Sequence, residues 1–401
     1  MPDAMNVLLY VNSFLPNLGG REFVVHHLAS ALLALGHSVR VTGPAGFWKY
    51  RSLRMPYPVH RWPTLRGLLP EQVASVQLQL DTALWGYDII HAHNTYPCGY
   101  TALKLRGRRG RPVVITPHGR DINRIPEVGH GLRLDPSLDR KITEVVRRAD
   151  RITAISSHIR AAVLEAGAPK HRVRLIPNGV DVARFSRPVS MDVRGWLSVA
   201  PDARLLITVG RYQPRKGFDH IVRAMPTVLA TEPRARLVIV GDGSEALIPL
   251  LRELALEDKV ILTGPIMPAA HVLAGQPDPN GEPDHLAQLL GAGELYLSAG
   301  ISSDAEGLSL AVLEAMAAQL PVVATAISGA TDVIDQDRNG VLVPPADAQA
   351  MAQGILHVLT QPALQQHMRE QARDTVSAFS WTSVAQRYVE VYQEALAERA
   401  R

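Results

Sequence analysis

The sequence predicts an α/β protein made of two domains, each built on a parallel sheet. Three observations predict it. Short apolar runs such as NVLLYV (6–11) alternate with longer amphipathic stretches, the βα order of a parallel sheet. That order starts afresh near residue 203 with ARLLITVGRY. The charge also changes sign along the chain: residues 1–190 carry 26 Lys and Arg against 13 Asp and Glu, and residues 191–401 carry 16 against 25. A chain of 401 residues has room for two such cores.

Composition excludes the disordered and fibrous classes, with 46% hydrophobic and 20% charged residues. The opening MPDAMNVLLYV reads as a first strand and not as a signal peptide. No stretch approaches the roughly 18 apolar residues of a membrane span. A single cysteine, Cys98, excludes an internal disulfide and fits a reducing, cytoplasmic compartment; with no basic neighbour it reads as a structural thiol.

In chain order, the strand at 6–11 leads through a loop ending in Gly19 and Gly20 into a helix with Val24, Val25, Leu28, Leu32 and Leu35 on one face. The glycine pair stands at a strand-to-helix turn where backbone can approach a phosphate or sugar closely. It is not a dinucleotide fingerprint, because the G-x-G-x-x-G spacing is absent. Residues 47–70 mix aromatic, Arg and Leu residues with prolines and contain no acid, so a long irregular excursion is expected; with LKLRGRRGR at 103–111 it could meet an anionic membrane surface. DIIHAHN (88–94) and VVITPHGRD (113–121) place His91, His93 and His118 at carboxyl ends of strands, the edge where parallel sheets bind ligands. A further strand and helix (149–166) and the strand RVRLIPNGVD (172–181) complete this half, and residues 186–202 read as a linker.

In the second half, the strand ARLLITVGRY is followed by a turn and a helix in QPRKGFDHIVRAMPTVL, with Arg211, Lys216 and Gly217 where strand becomes helix. Two cations beside a helix N-terminus make an anion site. RLVIVGDG (236–243) and KVILTG (259–264) are strands; residues 265–283 form a loop, and HLAQLLGAGELYL (285–297) resumes helix and strand. The stretch SSDAEGLSLAVLEAMAAQLPVVAT (302–325) then runs from loop through helix to buried strand. Its Glu314 has apolar neighbours, and an unpaired carboxylate there would cost several kcal/mol. A ligand bringing hydroxyl donors would resolve that cost, with Glu306 as a second acceptor and the N–H groups after Gly307 as an anion site. These features together describe a nucleotide-sugar. Asp335-Gln-Asp337 has a nominal metal-binding spacing but lies in a turn with no converging acid, so no metal is expected.

The Glu306-x7-Glu314 spacing, with Gly307 and EAMA, and the G-R-x4-K-G run at 210–217 resemble the donor-binding motifs of retaining glycosyltransferases of family 4. The resemblance spans almost the whole chain. It implies the GT-B architecture, two Rossmann-like domains facing an inter-domain cleft. Residues 1–185 would bind the acceptor and 203–381 the nucleotide-sugar, with helix 382–401 crossing back onto the first domain. It implies donor binding by Gly19, Gly20, Arg211, Lys216, Gly307, Leu308, Ser309 and Glu314. Glu314 would take ribose hydroxyls, Glu306 the hydroxyls of the transferred sugar, Arg211 and Lys216 the diphosphate, and His118 the sugar face. His118, Glu306, Arg211 and Lys216 form the implied catalytic set. The implied activity is metal-independent transfer of a hexosyl group, with retention, from a UDP- or GDP-sugar to a glycan, lipid-linked or small-molecule acceptor, with no cofactor and no nucleic acid. An epimerase or phosphorylase on the same fold is the alternative.

Overall fold

The structure is a computed structural model, and it describes residues 4–15, 19–44, 55–62, 70–106, 110–126, 129–266, 283–302 and 308–400. Glu306 and Gly307, most of the 47–70 excursion, part of the 103–111 cluster and most of the 265–283 loop lie outside the described residues. The chain divides into two compact units, one of Met1–Gly179 with Trp381–Arg401, the other of Val180–Ser380.

Among the described residues the first unit has a seven-stranded parallel sheet of β1 (Asn6–Tyr10), β2 (Ser38–Pro44), β3 (Val59–Trp62), β4 (Ile89–Ala92), β5 (Val113–Ile115), β6 (Arg151–Ala154) and β7 (Val173–Leu175). Its order is β3-β2-β1-β4-β5-β6-β7. The second unit has a six-stranded parallel sheet of β8 (Arg204–Val209), β9 (Ala235–Val240), β10 (Val260–Gly264), β11 (Leu295–Ser298), β12 (Val322–Thr325) and β13 (Gly340–Val343), in the order β10-β9-β8-β11-β12-β13. Both orders reverse direction once, between β1 and β4 and between β8 and β11. At such a switch point neighbouring connections leave to opposite faces, which opens a crevice beyond the strand ends.

Strand alternation builds the cores. On β8, Leu205 and Ile207 join one apolar cluster while Leu206 joins another on the opposite face, as a period of two requires. A sheet buried on both faces suits the near-continuous apolar runs of these strands, each buried Leu or Ile contributing about 1.5–3 kcal/mol.

Two features differ from the sequence expectation. The excursion contains β3 and is followed by a helix, Pro70–Leu84. Residues 186–202 are not a free linker but pack within the second unit. Short helices Val182–Phe185 and Val193–Trp196 are capped by Asp181 and Asp192, whose carboxylates accept from Arg184 N at 3.0 Å and Gly195 N at 2.9 Å. Phe185, Val193 and Leu197 enter its core, and Gln288 Oε1 accepts from the backbone N–H of Ser190 and Met191. Four-residue helices carry no readable period, so tertiary partners decide their place.

The last helix, Trp381–Ala400, belongs to the first unit. Tyr392 OH meets His91 Nδ1 at 2.7 Å, Arg151 donates to Glu394 at 3.0 Å and also pairs with Glu398, and Trp381 stacks on His27 at 5.4 Å.

Candidate active site

At the carboxyl edge of the first sheet, β4 and β5 deliver a cluster of imidazoles. His91 Nε2 meets Thr116 Oγ1 at 2.6 Å, so with Tyr392 on its other nitrogen the ring is fully bonded and serves as a buried structural group. His93 Nδ1 meets Nε2 of half-buried His118 at 3.1 Å, and the two rings stack at 5.4 Å. Burial pushes the His91 pKa down to about 3 and those of His93 and His118 well below the ordinary value. The charge of Arg21 lowers the latter two further. His93 and His118 can therefore offer hydrogen bonds, but no charge, at neutral pH.

Asp121 positions His118. Its carboxylate accepts from the backbone N–H of His118 at 2.8 Å and of Thr95 at 2.7 Å, which ties the turn after β5 to the turn after β4. Asn94, with φ of 146°, accepts from Cys98 N at 3.1 Å and shapes that second turn. Sequence reasoning passed over both residues; Asp121 could have been suspected from its place three residues after His118, where a short carboxylate closes a turn. Cys98 is buried and its thiol is pushed far up by burial, consistent with a packing role.

Gly19 precedes the helix Gly20–Ala34 as its N-cap. A Cβ at Gly19 would meet Glu22 Oε2 at 2.5 Å, so the glycine makes room for an acid of the first helical turn. Glu22 also accepts from Arg21 Nη2 at 3.0 Å. The close approach read from the glycine pair is thus used, at least in part, by the protein's own carboxylate.

At the carboxyl edge of the second sheet lies an open pocket with a void of about 460 Å³, its solvent mouth included. It is lined by Thr208 and Val209 at the end of β8, Ser298 and Gly300 at and after the end of β11, Lys216, and Ser309. This is the β8/β11 switch point. Ser309 is the N-cap of the helix Leu310–Ala317, and among the described residues its side chain makes no capping bond, so the start of this helix lies at the pocket wall.

Gly217 fixes Lys216. It sits at φ 64°, and a Cβ there would meet the carbonyl oxygen of Ala299 at 2.0 Å. Ile301 N donates to Arg215 O at 3.0 Å, and Thr325 Oγ1 to Gly300 O at 2.6 Å, so the lysine turn is sewn to the segment after β11. Arg211 stands exposed after β8 and is not among the residues lining the pocket. Leu308 is buried.

Glu314, on the same helix, is half-buried, and burial raises its carboxyl to about 6; Arg184 lowers it and Asp284 raises it. Asp335 pairs with Arg338 at 3.1 Å and Asp337 with His357 at 3.0 Å. Among the described residues no group of three or more His, Cys, Asp or Glu could hold a metal ion.

Residues 18–184 match the family described as Glycosyltransferase Family 4, and residues 203–361 match Glycosyl transferases group 1. The D-inositol 3-phosphate glycosyltransferase of Kineococcus radiotolerans is 30% identical over 337 residues, 78% of this chain and 73% of that protein. The chain belongs to glycosyltransferase family 4. Another relative is the N-acetyl-alpha-D-glucosaminyl L-malate synthase of Bacillus anthracis, 25% identical over 95% of both chains. Anabaena HepE, solved with UDP, superposes with a TM-score of 0.78 at 21% identity, covering 97% of this chain and 100% of that one. Sucrose-phosphate synthase from Thermosynechococcus elongatus gives 0.78 at 22%, over 98% and 100%. The fold is therefore GT-B, and the protein is a glycosyltransferase.

Proposed function

We propose that this glycosyltransferase moves a hexosyl group from a UDP- or GDP-sugar to a glycan, lipid-linked or small-molecule acceptor with retention at the anomeric carbon. The observation that carries this reading is the switch-point pocket of the second unit, where Lys216 and the uncapped helix at Ser309 face one void and Glu314 follows on the same helix. A diphosphate leaving group gains negative charge as its bond to the sugar breaks, and a fixed cation with an N-terminal dipole is the complement of that change. HepE, solved with UDP and with UDP-glucose, supports a nucleotide-sugar donor.

In this reading the second unit holds the donor and the first the acceptor. Lys216 and Arg211 stabilise the departing diphosphate in place of a metal, and Glu314 accepts from the ribose. Glu306 accepts from the sugar hydroxyls, while Gly307, Leu308 and Ser309 present backbone to the phosphates. Gly19 and Gly20 bring the first unit's turn close to the donor. His118, neutral and fixed by Asp121 and His93, hydrogen-bonds the sugar face. The leaving phosphate oxygen takes the acceptor's proton on the face from which it departs, so no protein nucleophile is needed. The decisive experiment is a screen of UDP-, GDP- and ADP-sugar hydrolysis and transfer by the purified protein, with and without chelator. Release of the nucleoside diphosphate and an α-anomeric product from an α-linked donor are expected; an isomerised or phosphorolysed sugar would overturn the reading.

We place the enzyme in the cytoplasm, resting on the inner face of the membrane. No helix among the described residues is long and apolar enough to cross one. The helix Pro70–Leu84 exposes Val76, Leu80 and Leu84 at i, i+4, i+8, with 55%, 45% and 72% of their surface accessible, in the half of the chain that carries the excess of basic residues. Co-sedimentation with anionic vesicles, lost in Leu80→Gln with Leu84→Gln, is the expected result.

A further inference from the structure

Three elements of the second unit meet at one buried guanidinium. Arg184, only 7% exposed, lies on the helix Val182–Phe185, which packs against both the helix His285–Gly291 and the helix Leu310–Ala317 that carries Glu314. Arg184 donates from Nε to Asp284 Oδ2 at 2.6 Å and from Nη2 to Asp284 Oδ1 at 3.1 Å, a bidentate fork. Asp284 is itself fixed as N-cap of its helix, accepting from Ala287 N at 3.3 Å. The guanidinium further stacks over Phe185 at 4.5 Å. Such a group has one geometry.

Its charge acts on Glu314 as well as on Asp284, so two carboxylates share one cation and the cluster is one negative charge in excess. Asp284 holds the fork and ends below the ordinary carboxylate value, although burial alone raises it. Glu314 is therefore the carboxylate left to be completed from outside. Other charges around the cluster are few. Asp181 acts on Arg184 and Arg187 on Asp284. His285 faces Trp196 at 5.3 Å. From the helix Pro362–Ser377, Arg369 donates to the carbonyls of Gln319 and Gly293 and lies 4.0 Å from Glu294. Strands β11 and β12, also packed on the Glu314 helix, bring no charged side chain.

We propose that Arg184 and Asp284 are positioning residues for the donor nucleoside: the anchored guanidinium orients Glu314 so that its carboxylate meets the ribose hydroxyls, and donor affinity depends on the pair while the transfer step does not. This rests on the reading of Glu314 as the ribose acceptor. Arg184 steadies the carboxylate, whereas Asp284 keeps the guanidinium from closing on Glu314 as a full ion pair, which would spend the oxygens the ribose needs.

The test follows Glu314 both directly and through a ligand. Its carboxyl carbon is titrated by NMR in full-length protein labelled on glutamate, with Glu314→Gln to identify the resonance; affinities for UDP and GDP are measured by calorimetry from acid to neutral pH. Asp284→Asn should move the Glu314 titration to lower pH and extend nucleotide binding into acid. Arg184→Met should move it to higher pH and weaken the better-binding nucleotide about tenfold at neutral pH. Arg184→Lys should fall between, and kcat at saturating donor should stay within about twofold throughout. Opposite displacements are what a merely structural pair would not give. Displacement of both in one direction, or an unmoved Glu314 in Arg184→Lys and Asp284→Asn, overturns the inference; those two variants suffice if Arg184→Met does not fold. Unchanged nucleotide affinity in Glu314→Gln overturns instead the ribose assignment on which it rests, and the Glu314 titrations tell the two failures apart.

Discussion

The two sheets share one strand order and one kind of switch point, yet their carboxyl edges are chemically unlike. At the first edge, histidines are packed among strands and a helix, bonded to one another and to hydroxyls, and held neutral by burial. At the second, a glycine in the left-handed region lets the chain fold back tightly, so that a lysine and an uncapped helix face an open void. The difference teaches that topology supplies the location and the turn residues supply the chemistry: neutral, hydrogen-bonding rings stand at one edge, and small residues let a cation face a void at the other.

The largest expected break in this contrast is loss of the second edge's cation. Lys216→Ala should lower kcat by about 10²–10³, as removal of one transition-state charge donor does, and Arg211→Ala by the same order. Steady-state rates on the best donor check this, and full activity in both variants would falsify their assignment. Next comes the turn itself. Gly217→Ala forces a Cβ to 2.0 Å from Ala299 O at φ 64°, so it should destabilise the second unit by about 1–3 kcal/mol and depress kcat with it, read from urea unfolding and from rates.

The smallest effect sharpens the comparison most, because acid should act on the two units with opposite sign. The folded His91 stays neutral down to about pH 3 while the unfolded ring protonates near 6.5, so stability falls as pH drops below 6.5, by about 2 kcal/mol at pH 5. His93 and His118 add in the same direction. Glu314 does the reverse. Its folded carboxyl protonates near 6 and its unfolded one near 4.5, so stability rises by about 2 kcal/mol as pH falls through that window. Amide hydrogen exchange, corrected for intrinsic rate, should quicken in the first unit and slow in the second between neutral pH and pH 5. Parallel changes would show that other groups set the acid response.

Much of the fold was legible because buried parallel strands write themselves as apolar runs, as NVLLYV and RLVIVG do. What was not legible depended on partners far away in sequence. Arg184 and Asp284 stand 100 residues apart, and neither is unusual where it occurs. The helix Pro70–Leu84 hid because its exposed side carries Val76, Leu80 and Leu84, which cancels the usual contrast between faces. Residues 186–202 read as a linker because prolines, serines and one four-residue helix offer no period; Gln288 and the Asp192 cap show where they are pinned. At the candidate site, the lysine turn and the Glu314 helix could be located from local spacing. The use of Gly19 by Glu22 required coordinates, whereas the support of His118 by Asp121 left the local trace of a short carboxylate three residues on.

The placement of Trp381–Ala400 in the first unit bears on how the protein is made. Residues 180–380 form the second unit from one contiguous stretch, whereas the first unit is completed by a segment that follows that stretch in the chain. Until Tyr392, Glu394 and Glu398 arrive, the imidazole on β4 and the guanidinium on β6 lack the partners they have in the finished molecule. The first unit is thus completed only by residues made after the whole of the second.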